Sequence, residues 1–285
     1  MHVIATEKKF YTSRYDKVFK TVFADINNTK FMNAILSEVL EGDAKVIKFL
    51  NPELGVRNVN EKTKHLDLLV DLGGIKINVE INTNSDLATT VRNFSYFSSF
   101  ISQNTVVGEK YDTKRNFVQI CLNFGEAKSK KTIRHYKLQT DEHDVYLETF
   151  HIYAINMDNL SKVWYDKSSE NYQKYKYLGM VDMEKEDLEK FGKDDELLNE
   201  YGKRVIELNN DEAFTWDISP EDDERYLMNA RLAEAEERGI AKGIEQKNID
   251  IVNNLYKMGL SIEDIAKGAN LSVEKVQKIL DDKNE

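Results

Sequence analysis

The chain has 285 residues, 32% of them charged and 41% hydrophobic, with a formal net charge of −10, as is typical of a soluble globular protein with a core and extensions. No apolar run reaches transmembrane length, and the first ten residues lack the apolar stretch of a signal peptide. The single Cys121 excludes an intramolecular disulfide, fits a reducing cytoplasm and leaves no paired cysteines for a structural zinc site.

Two helices are predicted before the first strand. Residues 14–25 carry Val and Phe pairs at helical spacing, and the polar run at 27–29 ends that helix. A second helix is predicted at 30–41, with Gly42 as its stop. A polar stretch then leads into the next element.

Residues 64–84, KHLDLLVDLGGIKINVEINTN, predict a tight β-hairpin. Gly73-Gly74 is a two-residue turn of the type that hairpins prefer, because both positions can take positive φ. Counting outward from this turn puts the apolar residues on one face and sets Asp67 opposite Glu80 on the other. Opposed Cβ atoms lie about 4.5–5.5 Å apart, and like charges there are destabilising. A hard divalent cation with oxygen ligands is therefore the expected neutralising partner.

The same register predicts two further neighbours on that face of the hairpin. Asp71 falls opposite Lys76, which indicates a structural ion pair. His65 falls opposite Asn82, where its imidazole could accept a proton. A solvated histidine at the start of a strand is the more ordinary interpretation.

A helix and two strands follow the hairpin. Ser85-Asp86 supplies an N-cap for a helix at 87–102, and strands are predicted at 116–124 and 145–155. Between the strands, the basic run KSKKTIRHYK at 128–137 could contact phosphates, with Lys130 and Lys131 at its centre. A solvated loop or strand edge explains so short a run equally well. This order of elements predicts a mixed sheet with helices packed against it.

The charge and the pattern both change in the second half of the chain. Residues 1–137 contain 21 Lys and Arg against 15 Asp and Glu, whereas the remainder contains 19 against 35. No strand of comparable quality follows residue 156. The predicted helices there lie at 158–178, 184–191, 194–208, in a long charged segment at 221–248, and in two last helices joined by GANLS in the shape of a helix-turn-helix.

Several segments in a fixed order carry a resemblance to a known family. They are DKVFKTVF at 16–23, LDLLVDL at 66–72, VEIN at 79–82, RNFSYF at 92–97, GEKY at 108–111, and a tail with GIAKGIEQ followed by LYKMGLSIEDIAKGANLSVEKV. In these segments the chain resembles the PD-(D/E)XK nuclease family transposases, the group that includes the Rpn recombination-promoting nucleases.

The resemblance implies a metal site on the hairpin. Asp67 and Glu80 match the two carboxylates with which the family binds a divalent cation, Mg²⁺ or Mn²⁺. Asn82 matches the third catalytic position, which holds lysine in most of the superfamily and glutamine in the Rpn-type proteins. Lysine would stabilise developing negative charge, whereas an amide can only donate or accept a hydrogen bond.

Other matched positions imply contacts with DNA, each beside a plainer alternative. Arg92 and Tyr96 match the family's R-x-x-x-Y pair, and the arginine could hold a phosphate through two hydrogen bonds or could simply stack on Tyr96. Nucleases of this fold often take a third carboxylate from the first helices, for which Glu38 is a candidate beside the role of an ordinary helix residue. The helix-turn-helix-like tail could read DNA, form a homodimer or position a partner.

The sequence thus predicts an α/β protein with a restriction-endonuclease-like mixed sheet flanked by helices and an all-helical C-terminal extension. Its expected parts are a nuclease-like core at 1–155, a helical extension at 156–220, and a long helix with the tail at 221–285. The favoured function is a cytoplasmic, Mg²⁺-dependent DNA endonuclease with little sequence preference, linked to recombination or mobile elements. The alternative is a catalytically impaired nuclease fold that acts as a DNA-binding or protein-interaction module.

Overall fold

The computed structural model describes residues 9–54, 64–83, 86–104, 116–125, 131–216, 218, 239 and 243–281. The chain divides into two compact units, Met1–Tyr226 and Leu227–Glu285. Most of the long charged helix predicted at 221–248, the GEKY segment and Lys130 lie outside the described residues. Within the described part, no helix is both long enough and apolar enough to cross a membrane.

Two amphipathic helices cover one face of the sheet. Helix α1 (Asp16–Phe23) buries its two Val and two Phe side chains, as the helical spacing predicts. Helix α2 (Lys30–Leu40) buries Phe31, Ile35 and Val39 and ends where Glu41 adopts the left-handed conformation with φ 53°. The paired aromatic and branched residues fix both helices against the strands that follow.

The six-stranded sheet is mixed, which confirms the predicted architecture. Its central strands run parallel, whereas the hairpin and the far edge are antiparallel. A separate two-stranded sheet pairs β2 (Glu53–Leu54) with β3 (Lys64–His65). The six strands, in their spatial order, are β1 (Lys48–Leu50), β4 (Leu68–Asp71), β5 (Ile75–Asn82), β6 (Asn116–Asn123), β8 (Phe150–Asn156) and β7 (Ile133–Tyr136).

The register of the β4–β5 hairpin is the one predicted from its turn. Leu68 pairs with Val79, and the Leu72 N–H donates to the Ile75 carbonyl at 2.9 Å. In the turn, Gly73 has φ 88°, a conformation that a side chain would strain. The local pattern of glycine and alternating apolar residues therefore fixes this part of the fold.

The expected pairing fails beyond Asp67, at the start of the hairpin. The Leu66 N–H donates to the Pro52 carbonyl at 3.0 Å, and His65 pairs with Glu53 in the small sheet. The prediction that His65 lies opposite Asn82 is therefore wrong. The reason is that the 51–54 segment competes for the backbone of this strand, which no pattern within the hairpin could indicate.

Helix α3 (Leu87–Gln103) packs on the opposite face of the sheet. Its N-cap is Asp86, whose side chain accepts the Thr89 N–H at 2.7 Å. Phe97 and Phe100 are buried in a second apolar cluster with residues of the sheet. The sheet thus lies between α1 and α2 on one side and α3 on the other.

Residues 157–216 add helices to the same compact unit. Tyr201, on helix α6 (Glu196–Asn210), is buried against rings of α1 and α2, and its hydroxyl donates to Ser13 Oγ at 2.7 Å. The boundaries placed at 155 and 220 stay predictions. This part consists of 3₁₀ turns at 157–160, 163–165 and 178–182, with the helices α4 (Glu170–Tyr175), α5 (Lys185–Phe191), α6 (Glu196–Asn210) and α7 (Glu212–Trp216).

Glu38 links α2 to this helical part. Its two carboxylate oxygens accept the N–H groups of Tyr177 and Leu178 at 2.9 and 2.8 Å, where the 178–182 turn begins. Burial raises the pKa of Glu38 to about 7, although both hydrogen bonds oppose the shift. This half-buried side chain therefore connects two parts of the core.

Replacing Glu38 should weaken the whole first unit. Glu38→Ala leaves two N–H groups without their acceptor, and we expect the free energy of unfolding to fall by about 2–4 kcal/mol. Urea unfolding followed by circular dichroism measures this loss. Glu207→Ala, which removes an exposed carboxylate from α6, is the control with an expected change below about 0.5 kcal/mol. Equal stability of the two variants would contradict the role assigned to Glu38.

The described part of the second unit, residues 239 and 243–281, contains a small cluster of three helices. Residues 243–257 are helical (α8), followed by α9 (Ile262–Ala269) and α10 (Val273–Asp281). Its core contains Val252, Ile265 and Val276. Ser261 caps α9 by accepting the Asp264 N–H at 3.2 Å. The shape is compatible with a helix-turn-helix, and its partner stays a prediction.

Candidate active site

The hairpin brings two acidic side chains together at the end away from its turn. Asp67 directly precedes β4, and Glu80 lies within β5. The Asp67 Oδ2 atom accepts the Ile81 N–H at 2.8 Å, while the Asp67 N–H lies 3.4 Å from Glu80 Oε1. Each carboxylate is therefore held by the backbone of the opposite strand, which orients both side chains without neutralising their charge.

Both carboxyl groups are difficult to ionise where they stand. Glu80 is only 2% exposed, and burial raises its pKa, with a further contribution from the negative charge of Asp67. Burial likewise raises the pKa of Asp67, with a contribution from Asp16 on α1. The protein therefore holds two acids in a place that favours their protonated forms unless a cation is nearby.

Helix α1 directs an ion pair toward this cluster. Lys20 Nζ lies 2.9 Å from Asp16 Oδ2 and 3.9 Å from Asp67 Oδ1. Burial alone would lower the pKa of Lys20, but the hydrogen bond to Asp16 and the charges of Asp16, Asp67 and Glu80 raise it. The sequence interpretation missed Lys20, although its i, i+4 spacing from Asp16 within DKVFKTVF was a signal for a fixed ion pair.

Asn82 belongs to a buried network of amides. It is 3% exposed, and its Nδ2 donates to Asn123 Oδ1 at 2.9 Å. Its Oδ1 accepts Asn93 Nδ2 at 2.9 Å and Arg92 Nη2 at 3.3 Å. The Asn82 amide therefore links β5 to β6 and to α3. The charged group that is hydrogen-bonded to it is the guanidinium of Arg92.

The same network extends under the carboxylates. Gln119 Nε2 donates to the Asn93 carbonyl at 3.0 Å, and Asn93 Nδ2 lies 3.9 Å from Cys121 Sγ. Burial raises the pKa of the Cys121 thiol to about 12, and the charge of Glu80 adds to the shift. Cys121 is therefore a buried, protonated thiol below the carboxylates, and it lacks the thiolate form that a nucleophile would need.

The residues predicted to contact DNA differ in their exposure and packing. Arg92 is exposed, and its charge lowers the pKa of both Asp67 and Glu80, in opposition to burial. Tyr96 is half-buried and packs against the cluster of Phe97 and Phe100. Lys131 is exposed just before β7.

The predicted ion pair of the hairpin acid Asp71 has a different lysine nearby. Asp71 was expected to bind Lys76 but lies 3.7 Å from Lys48, and Lys76 donates to Asn104.

The donor set of the hairpin fits a hard divalent cation. Asp67 and Glu80 offer two carboxylates held by backbone hydrogen bonds, and their mutual repulsion is what such an ion would relieve. Among the described residues, no group of three or more His, Cys, Asp and Glu side chains is placed to hold a metal. A site with two carboxylates is compatible with Mg²⁺, which usually keeps several waters and binds substrate phosphates.

Comparison with known protein families gives a match that covers most of the chain. A family model described as PD-(D/E)XK nuclease family transposase matches residues 13–242. No curated protein and no solved structure matches the chain significantly. The matched range includes α1, the hairpin and α3, and therefore every residue of the carboxylate cluster and the amide network.

Proposed function

The chain belongs to the PD-(D/E)XK nuclease family transposases, and we propose that it is a divalent-metal-dependent DNA endonuclease with little sequence preference that acts in recombination or on mobile elements. The observation that supports this function most strongly is the opposed pair of the half-buried Asp67 and the buried Glu80 at one end of the hairpin. Two facing carboxylates that repel each other lower the stability of a fold, and a bound cation would remove that repulsion.

Asp67 and Glu80 would hold Mg²⁺ or Mn²⁺ in this proposal. When bound, the ion polarises a phosphoryl oxygen and lowers the pKa of a bound water toward neutrality. The protein's own contribution is a fixed geometry, because the backbone of each strand holds the carboxylate of the other. The amide network below the site keeps this end of β5 joined to β6.

Basic side chains would bind the DNA backbone around this centre. Arg92 is exposed and carries a planar group suited to a phosphate, and the amides of Asn82 and Asn93 hold it in place. Lys131, with its neighbour Lys130 in the sequence, would add a contact farther along the strand. A cytoplasmic setting and a homodimer through the C-terminal helices stay predictions.

A second candidate function is a catalytically impaired nuclease fold that binds DNA or another protein. Asn82 favours it, because the amide stands at the usual lysine position and its hydrogen bonds are directed to Asn123, Asn93 and Arg92. The facing pair of Asp67 and Glu80 opposes it, since a fold without catalytic activity would be more stable without the repulsion.

Cleavage of supercoiled plasmid separates the two functions. With Mg²⁺ or Mn²⁺ the purified protein should convert supercoiled DNA to the nicked form, and EDTA should abolish the conversion. Either metal should also raise the melting temperature, because an ion that binds only the folded state stabilises it. A folded protein that shows neither cleavage nor stabilisation under either metal would overturn the endonuclease and favour the binding module.

A further inference from the structure

Hydrolysis of a phosphodiester develops negative charge that a site must stabilise. In this chain the strand position next to the carboxylates cannot supply a positive charge, because Asn82 is neutral and its amide is hydrogen-bonded within the core. A positively charged side chain that acts beside the metal therefore has to come from another element.

Lys20 is placed to supply that charge from helix α1. Its ammonium lies 3.9 Å from Asp67 Oδ1, and Asp16 holds it from the preceding turn at 2.9 Å. Phe19 and Phe23 are fully buried and anchor the helix, so the direction of Lys20 is fixed by the core. The side chain keeps 38% of its surface exposed, which leaves its charged end accessible to a ligand.

The positively charged side chains of Arg92 and Lys17 form hydrogen bonds with other parts of the protein. Arg92 directs its Nε and Nη2 atoms to Asn93 Oδ1 at 3.2 Å and joins the amide network. Lys17, on the same helix as Lys20, donates to the Phe214 carbonyl at 2.7 Å. Lys20, in contrast, forms ion pairs with two acids of the cluster, Asp16 and Asp67.

We propose that Lys20 is a catalytic residue of this site, whose ammonium contacts the scissile phosphate and stabilises its developing charge in place of a lysine on β5. This inference rests on the proposed endonuclease function. In the reaction, water forms one new P–O bond and one P–O ester bond breaks. The water loses a proton to solvent and the leaving oxygen gains one, so Lys20 keeps its proton throughout and acts by charge alone.

Neutral substitutions test the proposal. In Lys20→Met and Lys20→Gln we expect the single-turnover rate of metal-dependent cleavage to fall by about 10²–10³, the cost of removing one donor to a developing oxyanion. Lys20→Arg, which keeps the charge, should retain more activity than either. Lys48→Met is the matched control, because Lys48 also lies within 4 Å of a hairpin acid, at 3.7 Å from Asp71, but at the turn end.

Two measurements besides activity separate catalysis from a structural role. Binding of fluorescent duplex DNA in EDTA should change by less than about threefold, since one phosphate contact among several is a small part of the affinity. Mn²⁺ should stabilise Lys20→Met against heat at least as much as it stabilises the wild type, because a competing positive charge has been removed from Asp67.

The outcomes distinguish this proposal from the function on which it rests. If wild type and Lys20→Met cleave equally while Asp67→Asn does not, the endonuclease stands and the role of Lys20 is overturned. If Lys20→Met and Lys20→Gln both lose stabilisation by Mn²⁺ together with cleavage, Lys20 only supports the fold of the site, and the proposal fails. If the wild type itself does not cleave, both fail together. Lys20→Gln keeps a hydrogen-bond donor toward Asp16, which protects the test against simple misfolding of Lys20→Met.

Discussion

Asp67→Asn is expected to reduce metal-dependent DNA cleavage by about 10²–10⁴, because a metal ion supplies several kcal/mol of charge stabilisation and needs this carboxylate to stay in the site. Asparagine has nearly the same shape, and its oxygen can still accept the Ile81 N–H that Asp67 accepts at 2.8 Å. The substitution therefore removes a charge while the hairpin is retained. Single-turnover cleavage of a labelled duplex measures the loss.

The structure offers a close control for this substitution. Asp71 is the last residue of β4, at the turn end of the hairpin; it accepts the Gly73 N–H at 2.7 Å and is expected to take no part in the cleavage of DNA. Asp71→Asn should cleave within about twofold of the wild type. Stabilisation by Mn²⁺ should disappear in Asp67→Asn and persist in Asp71→Asn. Unchanged cleavage by a folded Asp67→Asn would show that the metal site lies elsewhere or that the activity needs no hairpin carboxylate.

That the two carboxylates lie opposite each other could be predicted, because it depends only on the turn and on the residue pattern within the hairpin. A Gly73-Gly74 turn determines which residues lie opposite each other, and counting from it reaches Asp67 and Glu80 within seven residues. The apolar alternation then selects the buried face. Helices α1, α2 and α3 followed equally from apolar spacing and caps, and the structure places each within about two residues of its predicted bounds.

The surroundings of the pair could not be predicted, because they come from distant segments. Asn82 meets Asn93 and Asn123 only after α3 and β6 have packed around β5, and an isolated asparagine in a strand has no pattern that announces this. His65 was misplaced for the same reason, since residues 51–54 compete for its strand. The approach of Lys20 depends on the packing of α1 across the sheet. Sequence periodicity therefore predicts the elements, whereas the chemistry around the carboxylates is set by tertiary contacts.

Glu80→Gln is expected to stabilise the metal-free protein at neutral and alkaline pH by about 1–3 kcal/mol, since one pKa unit corresponds to about 1.4 kcal/mol. Burial and the charge of Asp67 raise the pKa of Glu80 in the folded state, whereas the unfolded chain ionises a glutamate near pH ~4.3. Above that pH the folded wild type binds more protons than the unfolded chain. Its free energy of unfolding must therefore decrease as the pH rises, until the folded carboxyl group has also lost its proton.

Urea unfolding in EDTA at pH 5, 6.5 and 8 tests this dependence. The variant should lose less stability than the wild type between the two extremes, with Glu53→Gln, an exposed glutamate of β2, as the control that follows the wild type. The raised pKa of Asp67 adds a smaller pH dependence of stability, with the same sign, in the wild type and in both variants. The positive charges of Lys20 and Arg92 act against the rise of these pKa values. Mg²⁺ should reverse the order at pH 8, because only the wild type keeps both ligands. Parallel pH profiles for wild type and Glu80→Gln would show that the repulsion is already neutralised without a metal, and would remove the physical reason for expecting an ion between these strands.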